Sequence, residues 1–162
     1  MTTDAVEFTI EDPRSVDARW CFEQYFAELD ARFKAGFDPS LSISADVAEL
    51  TPPAGLLVIA RTAGRSIGCG ALKFHPDGPT ELKRMWVSPE HRGIGLGRRI
   101  LDELERQARD QGVTTLRLET NNSLSEAIAL YRSAGFVEVP AFNDEPYAHH
   151  WFEKQLRSAR SS

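Results

Sequence analysis

A glycine-rich stretch between a strand-like run and a helix-like run has the composition of a phosphate-binding loop. It covers residues 87–99, reads VSPEHRGIGLGRR, and contains Gly93, Gly95 and Gly97. Glycine lets the backbone turn tightly and brings its N–H groups close to a ligand. A helix that starts there adds unpaired N–H donors and the positive end of its dipole. The stretch therefore predicts a binding site for a diphosphate group.

Two common phosphate-binding loops have a different spacing. The dinucleotide fingerprint is G-x-G-x-x-G, whereas this chain has G-x-G-x-G and places Ile100 where the third glycine would fall. The nucleoside-triphosphate loop ends in Gly-Lys followed by Ser or Thr, but here Arg98 follows Gly97. The spacing therefore predicts neither of these two loops.

The elements around this stretch predict a mixed α/β sheet within a single domain covering residues 1–162. Alternation over 80–87 predicts a strand with Glu81, Lys83, Met85 and Val87 on one face. Ser123 and Glu126 form a candidate capping box for a helix that ends after residue 131. The tail, 157–162, is expected to fray. Further strands are predicted over 6–10, 55–61, 66–74, 115–120, 136–139 and 149–156, and further helices over about 14–34, near 45–50 and over 98–111.

Two motifs in the chain resemble those of the GNAT superfamily of N-acetyltransferases. The first is Arg92-x-x-Gly95-x-Gly97, which is similar to the family's pyrophosphate loop. The second is the segment 126–136, EAIALYRSAGF, which matches A-x-x-L-Y-x-x-x-G-F. The motifs stand in the family's order, separated by one helix and one strand, and the resemblance covers residues 56–156.

This resemblance implies a fold and a reaction. The fold would be α/β (α+β), with a central, mixed, mostly antiparallel sheet of about six to seven strands and about four flanking helices. A splayed pair of strands would hold acetyl-CoA. The enzyme would move an acetyl group from acetyl-CoA directly to a primary amine of a small molecule, peptide or protein.

The resemblance also implies which residues bind the cosubstrate acetyl-CoA. Backbone groups of Met85 and Val87 would bond the pantetheine arm. The charge of Arg92 suits the diphosphate. Arg98 opens the following helix, where it could reach the phosphates. The expected cofactor-binding set is Met85, Val87, Arg92, Gly93, Ile94, Gly95, Leu96, Gly97 and Arg98. The family's asparagine, seven residues before the tyrosine, is replaced here by Leu124.

Tyr131 and Glu81 are the two candidate catalytic residues. Tyr131 could be a core residue of its helix, but the family's tyrosine donates a proton to the departing thiolate, and we favour that role here. Glu81 stands where several family members have a general base, which is needed because an alkyl ammonium has a pKa of about 10. Glu81 could equally be a strand-start partner of Lys83 or Arg84, and both interpretations stay open.

Charge and composition limit the partners. A net charge of −5 argues against general binding to nucleic acid or anionic membranes. No signal peptide or apolar run of membrane-spanning length is seen. Cys21 and Cys69 are isolated in sequence and predict reduced core residues in a cytoplasmic protein. Adjacent strand residues His149 and His150 point to opposite faces, so no metal site is expected. A homodimer is compatible with the sequence.

The acceptor amine is not identified by any motif. By resemblance it would lie between residues 25–39 and 141–147, which contain aromatic and acidic residues. A catalytically silent acyl-CoA-binding or regulatory module on the same fold is the main alternative function. The presence of both Tyr131 and Glu81 favours the enzyme. A protein contacting nucleic acid through its arginines is disfavoured by the net acidity.

Overall fold

A computed structural model describes residues 5–43 and 45–157, so the predicted tail lies outside the described residues except for Arg157. Three 3₁₀ turns, Pro39–Leu41, Val47–Leu50 and Pro89–His91, accompany the main elements. These elements are β1 (Val6–Glu11), α1 (Val16–Arg32), β2 (Gly55–Thr62), β3 (Arg65–Lys73), β4 (Thr80–Val87), α2 (Leu96–Asp110), β5 (Thr115–Thr120), α3 (Ser125–Ser133), β6 (Val137–Val139) and β7 (His150–Gln155).

The seven strands form one sheet in the order β1-β2-β3-β4-β5-β7-β6. All neighbours are antiparallel except β4 and β5, which run parallel. The predicted mixed, mostly antiparallel sheet is confirmed. The described part of the chain has three α-helices rather than about four. The helix expected near 45–50 is the 3₁₀ turn Val47–Leu50, which Asp46 caps and which Pro52 prevents from extending.

Both faces of the sheet are covered, which explains the unbroken apolar run of β2. Its Leu57 and Ile59 pack in one core with Phe22 of α1. Val58 packs in the other core, with Leu104 of α2. A strand buried on both sides loses the polar alternation of a half-exposed one. The sheet is therefore the middle layer of the fold, with α1 on one face and α2 and α3 on the other.

The parallel pair β4–β5 separates soon after it begins. Only Thr80 with Leu116 and Glu81 with Arg117 are in register. Beyond these pairs the two strands diverge, and the predicted splayed strand pair is confirmed. The edge of β4 that faces β5 is therefore unpaired over the stretch that leads into the glycine loop.

A bulge at Arg84 reverses the faces of β4. Arg84 has a φ of 57°, and the register with β3 shifts nearby. Leu82 consequently packs in the same core as Met85, although they are three positions apart. The predicted common face of Glu81, Lys83 and Met85 is therefore wrong, because an extra residue in a strand inverts the alternation after it.

The start of α3 also differs from the prediction. The helix begins at Ser125, and no side chain caps it. The Ser123 N–H donates to Asn121 Oδ1 at 2.8 Å, and the Glu126 carboxylate pairs with Arg32 of α1 at 2.8 Å. The capping box of Ser123 and Glu126 is wrong because a tertiary ion pair takes the glutamate.

Two further findings concern the cysteines and the length of the helices. Cys21 and Cys69 are buried and free, as expected of core thiols. No helix in the described part of the chain has the length and apolar content needed to cross a bilayer.

Candidate active site

The glycine loop, the end of β4, α1 and α3 enclose a cavity of about 400 Å³, here called the loop cavity. Ile94 is the one expected cofactor-binding residue that does not line it; its side chain projects into solvent, with the residue 66% exposed. The expected residues that do line it are Met85, Val87, Arg92, Gly93, Gly95, Leu96, Gly97, Arg98 and Tyr131.

The backbone of the loop suits a diphosphate. Arg99 N–H donates to the Gly95 carbonyl at 3.1 Å, closing the first turn of α2. The N–H groups of the three preceding residues, 96–98, therefore have no acceptor within the helix. Gly93 and Gly95 both have φ of +82°, and a Cβ on either would enter open space. The loop thus offers free donors beside a void, which is what an anionic group requires.

The Arg92 guanidinium is bound by groups of the protein itself. It donates to the Val87 carbonyl at 2.8 and 3.1 Å and pairs with Glu28 of α1. Glu28 also pairs with Arg32 at 3.1 Å, and Arg32 continues the chain of charges to α3 through Glu126. The predicted diphosphate contact of Arg92 would require its guanidinium to exchange Glu28 for phosphate. Arg98 has a looser pair, with Asp102 at 3.5 Å.

A second cavity of about 120 Å³, here called the aromatic cavity, lies where β4 and β5 diverge. Both segments expected around the acceptor contribute to it. It is bounded by α1, by residues 33–43 and 45, and by the loop before β7. Its aromatic residues are Tyr25, Phe26, Phe33, Phe37, Tyr131 and Tyr147, and its charged residues are Lys83, Arg84, Glu119 and Glu145.

Tyr131 lies where the two cavities meet, since it lines both. The residue is 5% exposed, and its ring packs against Phe136 with centroids 5.7 Å apart. Burial, with a smaller effect of Tyr25, raises the pKa of the Tyr131 phenol well above its usual range. The hydroxyl therefore keeps its proton at physiological pH, as a donor must. Tyr131 is at once a core residue and a phenol at the junction.

Glu119 is a site residue that sequence reasoning missed. Its Oε1 accepts a hydrogen bond from Lys83 Nζ at 3.2 Å. Its Oε2 is buried and has no hydrogen-bond partner among the described residues. The side chain is 8% exposed and lines the aromatic cavity. The only signal in the sequence was the alternation of β5, which places Glu119 opposite the core residues Leu116 and Leu118.

Glu81 lines neither the loop cavity nor the aromatic cavity. Its carboxylate contacts His75 at 2.7 Å, Lys83 at 2.9 Å and Arg117 at 3.5 Å. Burial alone would raise the pKa of Glu81, but Lys83 and then His75 outweigh it and lower that pKa to about 2. The structure links Glu81 to Glu119 through the shared Lys83 and does not bring it to Tyr131.

Leu124, at the family's asparagine position, lines both cavities with its apolar side chain. The neighbouring Asn121 binds the protein itself, since its Nδ2 donates to the Tyr147 carbonyl at 2.7 Å. The local asparagine thus supports the wall of the aromatic cavity.

Comparison with known proteins gives consistent matches. The profile of the acetyltransferase (GNAT) family matches residues 15–136. An IAA acetyltransferase of Azospirillum brasilense is 36% identical over 125 residues, covering 76% of this chain and 80% of the relative. N-alpha-acetyltransferase RimI of Mycobacterium tuberculosis is 37% identical over 142 residues, covering 86% and 84%. An acetyltransferase structure of the GNAT family from Staphylococcus aureus shares the fold, with a TM-score of 0.81 at 18% identity over 94% of this chain and 100% of that chain.

Proposed function

Because the chain belongs to the GNAT family of acetyltransferases, we propose that it transfers an acetyl group from acetyl-CoA directly to a primary amine. Acetyl-CoA would occupy the loop cavity and the amine the aromatic cavity. The observation that carries this proposal is the meeting of the two cavities at Tyr131, with Glu119, whose buried Oε2 has no hydrogen-bond partner among the described residues, lining the aromatic cavity.

The loop cavity would hold the cosubstrate mainly by backbone groups. The N–H groups of the glycine loop and of the first turn of α2 would bind the diphosphate. The unpaired edge of β4, at Met85 and Val87, would bond the pantetheine arm. When bound, acetyl-CoA supplies an acetyl group activated as a thioester.

Glu119 is the proposed base. An amine attacks only after its ammonium, with a pKa of about 10, loses a proton. The buried Oε2 of Glu119 would accept that proton, the C–N bond would form, and the C–S bond would break. Tyr131 would donate its phenolic proton to the departing sulfur. It would regain a proton from the attacking nitrogen, which must lose a second proton to become an amide, and Glu119 would release its proton to solvent. Glu81 was the other candidate for the base, but a carboxylate with a pKa of about 2 is a weak base, and Glu81 lines neither cavity.

The alternative of a silent acyl-CoA-binding module predicts binding without turnover. A buried carboxylate oxygen without a partner is costly, and its presence in a cavity that a buried phenol also lines favours a catalytic use. The two buried free thiols fit a reducing compartment, and we place the reaction in the cytoplasm.

Release of free thiol from acetyl-CoA, measured across a panel of amines with the wild type and Tyr131→Phe, tests the proposal. Amine-dependent thiol release that falls sharply in Tyr131→Phe is expected. Tight binding of acetyl-CoA with no release for any amine would overturn the proposal in favour of the silent module.

A further inference from the structure

Within the proposed acetyltransferase function, on which this rests, we infer that the acceptor is a small primary monoamine carrying an aromatic ring on a short alkyl chain. The aromatic cavity carries this inference through its wall, its size and its charges. The names of the relatives point to different acceptors, so kinship alone does not select one.

The wall of the aromatic cavity is a cluster of rings. Phe26 and Phe37 are nearly parallel, with centroids 5.7 Å apart and planes 15° apart. Tyr147 lies 4.8 Å from Phe37 and 5.6 Å from Phe33. Aromatic side chains recognise another ring by edge and offset contacts at these spacings. The cluster therefore suits a flat, apolar body better than a polar or branched one.

The size of the cavity and the ties around it favour a small molecule. Its volume of about 120 Å³ is well below the roughly 300–1,000 Å³ of pockets for drug-sized ligands. The Asp38 N–H donates to Tyr147 Oη at 2.9 Å, and the Ile43 N–H donates to Glu145 Oε1 at 3.0 Å. These bonds hold the segment 37–43 against the loop before β7. A polypeptide acceptor would have to pass between them.

The charges select a single ammonium group. Glu145 is occupied, since Oε1 accepts from the Ser42 hydroxyl and the Ile43 N–H, and Oε2 accepts from the Tyr147 N–H at 3.3 Å. Among the described acidic residues that line the cavity, only Glu119 has a carboxylate oxygen without a partner. One partnerless carboxylate oxygen can receive one ammonium, so a polyamine would leave its second charge in the cavity without a counter-ion.

The inference predicts a ranking of acceptors by kcat/KM. Phenylethylamine should exceed cyclohexylethylamine, which has a similar size without a π face, by about threefold to tenfold. Propylamine, spermidine and a short peptide with a free N-terminus should all be poorer than phenylethylamine. Equal values for the two ring compounds, or a preference for spermidine or the peptide, would overturn the inference and leave the proposed function intact.

Two variants test whether the preference for an aromatic amine arises in the ring cluster of the aromatic cavity. Phe37→Leu should remove the advantage of phenylethylamine over cyclohexylethylamine, measured as the ratio of their two kcat/KM values. Leu41→Ala is the matched control, because Leu41 lies in the same segment, is 63% exposed and does not line the cavity. If Phe37→Leu unfolds, Tyr147→Leu makes the same test. An aromatic preference that survives in the folded variants would overturn the inference, and absence of transfer to every amine would overturn the proposed function as well.

Discussion

The loop cavity and the aromatic cavity share Tyr131 but are built in different ways. The residues of the loop cavity that were expected to bind acetyl-CoA lie in one continuous stretch of chain, residues 85–98, and offer mainly backbone donors. The aromatic cavity is lined by side chains from α1, β4, β5, α3 and the loop before β7, together with residues 33–43 and 45. A site made of backbone groups from one stretch can be predicted from a local motif, whereas a site made of side chains depends on which segments the fold brings together.

The two cavities also use charge differently. In the loop cavity, arginines are bound by acids of neighbouring helices, and these partners are partly exposed. In the aromatic cavity, Lys83 is buried between Glu81 and Glu119. Burial alone would lower the pKa of Lys83, but Glu119 and then Glu81 outweigh it and raise that pKa. The arginines around the loop cavity could therefore exchange their acidic partners for a bound phosphate, whereas Lys83 is held in place by its two glutamates.

Tyr131→Phe tests the junction and should have the largest effect. The variant keeps the ring contact with Phe136 but removes the proton donor. We expect kcat to fall by about 10²–10⁴-fold, with an unchanged Kd for acetyl-CoA measured by calorimetry. Tyr25→Phe is the comparison, because Tyr25 also lines both cavities. An equal loss in both variants would contradict the assignment of Tyr131 as the donor.

Glu119→Gln and Glu81→Gln make a matched pair on either side of Lys83. Glu119→Gln should lower kcat/KM by about 10²-fold at low pH. The loss should shrink as the pH rises toward the pKa of the amine, because free amine becomes abundant. A loss that does not vary with pH would indicate positioning of the acceptor, and a larger effect in Glu81→Gln would return the role of base to Glu81.

Glu81→Gln should act on stability instead. The pKa of Glu81 is lowered to about 2 in the fold from about 4.3 in an unfolded chain, so the carboxylate stabilises the fold above pH 4.3 by about 3 kcal/mol. This contribution is lost as the pH falls through 2. Urea unfolding of variant and wild type should therefore differ near neutral pH and converge toward pH 2. A difference independent of pH would contradict the ion-pair explanation.

Gly95→Val, compared with Gly64→Val, separates a loss of diphosphate binding at the glycine loop from the strain of placing a side chain at a positive φ. Gly95 and Gly64 have φ of +82° and +77°, and a Cβ on either meets nothing within 4 Å. Gly64 lies in the turn between β2 and β3, outside the loop cavity. Both substitutions should destabilise the fold by about 1–2 kcal/mol. Only Gly95→Val should weaken acetyl-CoA binding, by about tenfold or more. Similar affinities in Gly95→Val and Gly64→Val would contradict the assignment of the glycine loop as the diphosphate-binding site.

Sequence reasoning predicted the features of the loop cavity that lie in contiguous motifs and missed features of the aromatic cavity that depend on tertiary contacts. The glycine loop and Tyr131 were predicted because each belongs to a contiguous motif. Glu119 was missed because its importance depends on the splay of β4 from β5 and on Lys83, 36 positions away. The faces of β4 were mistaken because a single backbone angle, at Arg84, reverses them. These features are set by tertiary contacts that local pattern does not contain.

Glu28→Gln should produce the smallest effect, and it tests whether charges around the loop cavity are exchangeable. Glu28 pairs with the Arg92 guanidinium and would compete for it with a bound phosphate. Its pair with Arg92 is partly exposed, and such pairs contribute up to about 1 kcal/mol. Freeing Arg92 should therefore tighten acetyl-CoA binding by at most about fivefold, an effect that added salt weakens. Glu90→Gln makes the same charge change at an exposed residue that does not line the cavity, and it should leave affinity unchanged. If Glu28→Gln weakens binding while Glu90→Gln does not, the ion pair positions Arg92 for the phosphates, and the charges of the loop cavity are as fixed as those around Lys83.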